Sequence, residues 1–331
     1  MEITISFIII IVNIILAALI AAYLKNRIIS LFEHKYGNKN PKNTNILKPV
    51  ANALKLLIKE DLAPKSRKKI LYFLAPLIVF CPIVTAFALI PLNSGTPLLN
   101  IDASAILFLA LVSIPVAGAF FAGYSSSNKG AFISSIRSII LTSSFQIPIG
   151  TSILGVSFLS NSLAINDIIM TQNTTAGLFG WHFIPQILSC IIFFICTLMI
   201  LNCGPFNITE GENQLTSSYT AEYSGSKLAV FHLAKYALLF AISLFFICLF
   251  FGGYLSPFGT YVLPDFLVSF EQIFWLILKT FLVILSIFLI EITLPKLSYE
   301  RVLNFSFKIL MPLSLINLNI TIFIGYFLGS N

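Results

Sequence analysis

Residues 230–254 read VFHLAKYALLFAISLFFICLFFGGY, twenty-five positions that hold a single charged side chain, Lys235. A helix of that length rises about 37 Å, enough to cross the ~30 Å hydrocarbon core of a bilayer. A helix this apolar on every face reads as a membrane span. Working outward from it, comparable runs lie near 3–24, 70–92, 104–124, 132–159, 183–203, 272–292 and 308–328. The sequence therefore predicts an all-α polytopic membrane protein with eight transmembrane helices, forming a single membrane domain over residues 1–331. The run 132–159 contains Arg137, Pro148 and Gly150, which predicts a kink or tilt. The run 3–24 lacks a basic leader and a small-residue cleavage site, so it reads as a retained helix.

Composition agrees. Of 331 residues, 57% are hydrophobic and only 10% are charged, against about 25% charged in soluble domains. That excludes a soluble nucleotide-binding enzyme, a secreted disulfide scaffold and a disordered tail. The net charge of +7 fits membrane topology better than nucleic acid binding. Cys81, Cys190, Cys196, Cys203 and Cys248 sit in or beside apolar runs without a CxxC pair, and read as packing residues. His34, His182 and His232 are scattered, and no metal site is expected from this chain alone.

Charge is distributed on one side. Segment 25–69 holds twelve Lys and Arg, and Lys129, Arg137, Lys227, Lys296, Arg301 and Lys308 fall in or beside alternate connections. Lys235 and Lys279 lie within spans. Connections 93–103, 160–182 and 255–271 carry no Lys or Arg, only Asp102, Asp167, Asp265 and Glu271. The positive-inside rule then places 25–69, 125–131, 204–229 and 293–307 inside and both termini on the outer face. Within the first inside connection, residues 47–60 show apolar positions at i, i+3, i+4 and i+7 with lysines between them, which predicts an amphipathic helix lying in the interface. Connection 204–229 instead carries Glu210, Glu212 and Glu222, which suits docking or a cavity. Trp181, Tyr261 and Tyr72, near span ends, read as interfacial anchors.

Several stretches resemble one family, that of the H subunit of respiratory complex I, called chain 1 in mitochondria. Residues 51–64 (ANALKLLIKEDLAP) look like that family's first inside loop. Residues 122–129 (AGYSSSNK) with Arg137 resemble its second inside loop. Residues 204–212 (GPFNITEGE) with Glu222-Tyr223-Ser224-Gly225 resemble its third. Phe251-Gly252-Gly253, Leu278-Lys279-Thr280-Phe281, Thr293-Leu294-Pro295 and Lys308 to Leu315 match further along, in order.

The resemblance implies a subunit of a proton-translocating NADH-quinone oxidoreductase, without catalytic residues or a cofactor of its own. Quinone would be the substrate. NADH, FMN and iron–sulfur clusters would reside in partner subunits, and the neighbours would be other membrane subunits and the quinone-proximal iron–sulfur subunits. The chain would form the quinone-access tunnel and the docking surface in the inner membrane of a bacterium or mitochondrion. The resemblance implies tunnel and coupling roles for Arg137, Glu210, Glu212, Glu222 and Lys279. Docking or interfacial roles are expected for Lys55, Lys59, Glu60 and Lys129.

The sequence departs from the family where the family is most charged. Lys25, Asn52, Gln146, Ile200, Asn207, Gln214 and Lys235 stand where acids are expected, and Cys203 and Glu291 where arginines are. Amides can bond but cannot relay protons, so coupling is expected to be impaired or rerouted. The opposite changes at 235 and 291 suggest a swapped ion pair, Lys235 with Glu291. Two alternatives are the homologous subunit of a membrane-bound hydrogenase and a degenerate non-redox scaffold or transporter paralogue. The Lys59-Glu60-Asp61-Leu62-Ala63-Pro64 match favours the quinone branch over the first, and the retained third-loop motif argues against the second.

Overall fold

A computed structural model describes residues 2–32, 47–94, 99, 101–173, 177–206, 218–258 and 268–329. The described residues are helical and contain no strand. The helices are α1 (Glu2–Phe32), α2 (Leu47–Ile58), α3 (Lys69–Ala88), α4 (Ser104–Ser125), α5 (Lys129–Ser160), α6 (Ile165–Thr171), α7 (Ile187–Ile200), α8 (Gly225–Phe250), α9 (Val268–Thr293), α10 (Tyr299–Phe305) and α11 (Met311–Gly329).

Seven helical stretches are long and apolar enough to cross a membrane, in α1, α3, α4, α5, α8, α9 and the continuous 299–326 stretch. The expected span 183–203 folds differently. Only the fourteen residues of α7 are helical, about 21 Å of rise, which is less than a bilayer core. Residues 182–186 before it and Leu201–Asn202 after it are turns. His182, Gln186 and Leu201 among them are buried, where irregular backbone is tolerated because protein groups replace water. Gln186 and Ser189 are buried there and bond with Asn317 of α11. Helix length thus supports seven of the eight expected spans.

α8 is the axial helix. Residues 241–250 are all buried, and Phe108 of α4, Phe193 of α7 and Phe288 of α9 belong to the same core. Phe245 stacks on Phe108 with ring centres 4.0 Å apart. α1 packs on α8, α9 and α3, and leaves Val12, Leu16 and Ile20 exposed, as a lipid-facing helix should. α2 rests on α8 and α1 with Leu54, Leu57 and Ile58 exposed, the arrangement expected of the interface helix.

α5 runs unbroken through Pro148. Proline has no N–H, so the carbonyl of Ser144, four residues earlier, loses its helical partner. Ser306 Oγ donates to that carbonyl at 2.9 Å. Ser306 opens a wider π-type turn, Ser306–Leu310, between α10 and α11. Serine-rich α5 thereby docks the last transmembrane stretch through a hydrogen bond that its own proline made available.

Candidate functional site

The connections before α3, before α5 and before α8 meet at one end of the bundle. Tyr72 at the start of α3 stacks on Tyr223, with centroids 4.2 Å apart and planes within 4°. Tyr72 donates to the Glu222 backbone oxygen at 2.9 Å, and Tyr223 shares a hydrogen bond with Ser125 at 3.1 Å. Asn128 Nδ2 donates to Glu222 Oε1 at 2.8 Å, while Asn128 Oδ1 caps α5 by accepting from Gly130 N–H at 2.9 Å. Lys68 N–H donates to the Ser125 carbonyl, and Lys68 Nζ lies 3.4 Å from the centre of the Tyr124 ring. Burial pushes the Tyr223 phenol up to about 12, against a smaller opposing pull from its Ser125 bond, so it stays a neutral hydrogen-bonding group.

A second contact ties the connection after α2 to α8. Asp61 accepts from the Ser226 N–H at 3.1 Å, the Ser226 hydroxyl at 3.2 Å and Lys227 Nζ at 3.3 Å. Asp61 thus caps α8 from a remote segment, placing an acid where the helix dipole favours one. Gly225 has φ +58°, and a Cβ there would collide with Asp61 Oδ1. Only glycine lets the carboxylate approach this closely. Lys55, Lys59, Glu60 and Lys129 are exposed beside these contacts. Tyr72 is not the interfacial anchor the sequence predicts. It is 2% exposed, because Tyr223 covers its ring.

Next to this knot lies a cavity of about 150 Å3. Val79 and Ile83 of α3, Val112 and Pro115 of α4, Ser138 and Thr142 of α5, and Phe231, Ala234 and Lys235 of α8 form its walls. Leu201 and Asn202 after α7, and Ser218, Tyr219 and Thr220, complete it. The walls are mainly aliphatic and aromatic, with hydroxyls, an amide, the His232 imidazole and a lysine at intervals. This is the composition of a pocket for a flat, largely apolar ligand bearing a few polar atoms.

The predicted site residues separate into several places. Lys235 lines the cavity, and Glu222 belongs to the knot. Glu210 and Glu212 lie outside the described residues, as does Tyr261. Arg137 is exposed, its guanidinium 5.8 Å from the centre of the Tyr299 ring, and among the described residues no carboxylate pairs with it. Lys279 is far along α9 from the cavity-lining set. Its Nζ donates to the carbonyls of Phe251 at 2.8 Å, Gly253 at 2.9 Å and Leu255 at 2.7 Å, and sits 4.2 Å from the Trp181 ring centre. All three ammonium protons are used to close the end of α8. Trp181 is therefore not an interfacial anchor either. It is buried against Gly252 and Lys279.

The expected Lys235–Glu291 pair is replaced by another. Glu291 Oε1 accepts from Lys25 Nζ at 2.7 Å, with both side chains mostly buried. α1 packs against α9 as well as α8, which brings Lys25 to Glu291 and leaves Lys235 at the cavity wall. Lys25, and not Lys235, is the cation that meets Glu291. Sequence spacing missed this because it cannot show which helices become neighbours. It met Tyr223 and Asp61 only within motifs, with no contact assigned to them, and it missed Gln172 altogether. Gln172 is buried, donates to the carbonyls of Ile168, Cys248 and Leu249, and accepts from the N–H groups of His182 and Gly252. The one available signal was a glutamine at the end of a charge-poor connection.

Comparison with known sequences bears on this arrangement. The family model described as NADH dehydrogenase matches residues 5–322. The H subunit of NADH-quinone oxidoreductase from Dehalococcoides mccartyi strain CBDB1 is 34% identical over 94% of this chain and 83% of that protein. The same subunit from D. mccartyi strain ATCC BAA-2266 is 33% identical over the same shares.

Proposed function

The chain belongs to the NADH dehydrogenase family, and from that premise we propose that it is the H-type membrane subunit of an NADH-quinone oxidoreductase, contributing the quinone path and the docking surface. The cavity carries this reading. It pairs apolar walls with scattered polar groups, and it adjoins the knot that gathers the connections before α3, before α5 and before α8. A quinone headgroup needs both properties, an apolar route and a few hydrogen-bonding groups at its end. Glu210 and Glu212 lie outside the described residues, and their coupling role rests on the family membership alone.

The exposed Lys55, Lys59, Glu60 and Lys129 form the docking rim for the iron–sulfur subunits, on the inner side of a bacterial or mitochondrial inner membrane. Partner subunits carry the NADH site, FMN and the clusters. Glu222 and Arg137 flank the tunnel in this account. Lys279 holds the opposite end of α8 in place instead of moving protons, since its three donors are engaged.

Purification of the tagged chain in mild detergent tests the assignment. A large particle containing non-haem iron and inhibitor-sensitive quinone reductase activity is expected. An iron-free particle containing only this chain would overturn it.

A further inference from the structure

We propose that Lys235 makes the cavity selective for a quinone-type ring carrying an ionised oxygen, such as a hydroxylated or deprotonated reduced headgroup. This rests on the quinone reading of the cavity and adds the charge state of its occupant. The cavity volume of about 150 Å3 matches that of an engineered apolar cavity which accepts benzene. One six-membered ring therefore fits.

Lys235 supplies the charge. It lines the cavity from α8 and is partly buried. Among the described residues no carboxylate lines the cavity and none forms an ion pair with Lys235. Glu291 is already held by Lys25 at 2.7 Å. An ammonium in an apolar membrane wall is costly without a counter-anion. A ligand oxygen that bears charge answers that cost, and a charge-assisted hydrogen bond is roughly twice as strong as a neutral one. Thr142 and Ser138 of α5 also line the cavity. They offer hydroxyl contacts to the rest of the ring and bring no competing charge.

The test is equilibrium dialysis of the detergent-purified complex against two probes. One is a hydroxy-1,4-benzoquinone whose ring hydroxyl is ionised at neutral pH, and the other is its uncharged methyl ether. The complex is expected to hold the anionic probe about tenfold more tightly, the equivalent of one charge-assisted contact. Lys235→Gln should erase that preference while still binding the ether, and Lys235→Arg should keep it. Co-purification of the other subunits checks that each variant assembles. Equal affinity of the unaltered complex for both probes, or a preference that survives Lys235→Gln, overturns the proposal while the quinone reading stands. Binding of neither probe overturns the quinone reading as well.

Discussion

Lys279 and His182 show how single residues at the charge-poor end of α8 determine its stability. Replacing Lys279 by Met leaves three carbonyls that had a shared donor without one. Each buried acceptor left unpaired costs about 1–3 kcal/mol. Lys279→Met is therefore expected to lower stability by roughly 3 kcal/mol in total, read as a fall in the detergent melting temperature, with the cavity's ligand affinity little changed. His182 adds a pH dependence. Its Nδ1 is buried without a partner, and burial pulls the imidazole from 6.5 down to about 4, against a weaker contribution from the Leu249 carbonyl. The folded protein thus holds it neutral, while the unfolded chain protonates it more readily. Its contribution is fully present above the unfolded value and is lost as pH falls from about 6.5 towards 4, up to about 3 kcal/mol. Melting temperatures measured across that window should fall with pH, and His182→Gln should flatten the slope. Lys279 drew attention in the sequence as a cation inside an apolar run. Its partners did not, because they are backbone carbonyls of a distant turn.

At the level of elements, helix identities were legible and their couplings were not. Apolar length located α3, α4, α5, α8 and α9 to within a few residues of the observed helices, and amphipathic spacing located α2. The segment 183–203 looked equally apolar. It fails to be one long helix because buried side chains such as Gln186 bond to α11 and stabilise turns that composition cannot reveal. Two couplings yield predictions. Gly225→Ala would force a Cβ into Asp61 at a positive φ, so it should cost about 1–3 kcal/mol. It should also release the segment after α2, detected as faster proteolysis near residue 60. Asp61→Asn, which keeps the acceptor oxygen but drops the charge, should cost less. Ser306→Ala removes the donor that satisfies the Ser144 carbonyl above Pro148. It should cost about 1–2 kcal/mol, whereas the additional change Pro148→Ala, which restores the helical N–H, should recover part of that loss.

For the whole molecule, α1 is tied to α9 by the mostly buried Lys25–Glu291 pair. Lys25→Glu or Glu291→Lys alone places like charges together in a mostly buried site, and each should weaken assembly. The double exchange should restore it, with a coupling of about 1–3 kcal/mol from a double-mutant cycle. The composition made the membrane class plain, and the ordered motifs made the family plain. The cavity was hidden, since its walls come from α3, α4, α5, α8 and the flanks of the 207–217 segment. Lys235 and Ile200 among its lining residues stood out beforehand as departures from the family, Lys235 for a pairing it does not make. The central claim, that this cavity lies on the quinone path, is tested most directly by photolabelling membranes that contain the intact complex with an azido-quinone and mapping the modified peptides. Label is expected on the cavity-lining parts of α3, α5 and α8 or on residues 201–202 and 218–220, displaced by excess unlabelled quinone. Displaceable label confined to segments away from the cavity, such as the outer turns of α9 or α11, would contradict it.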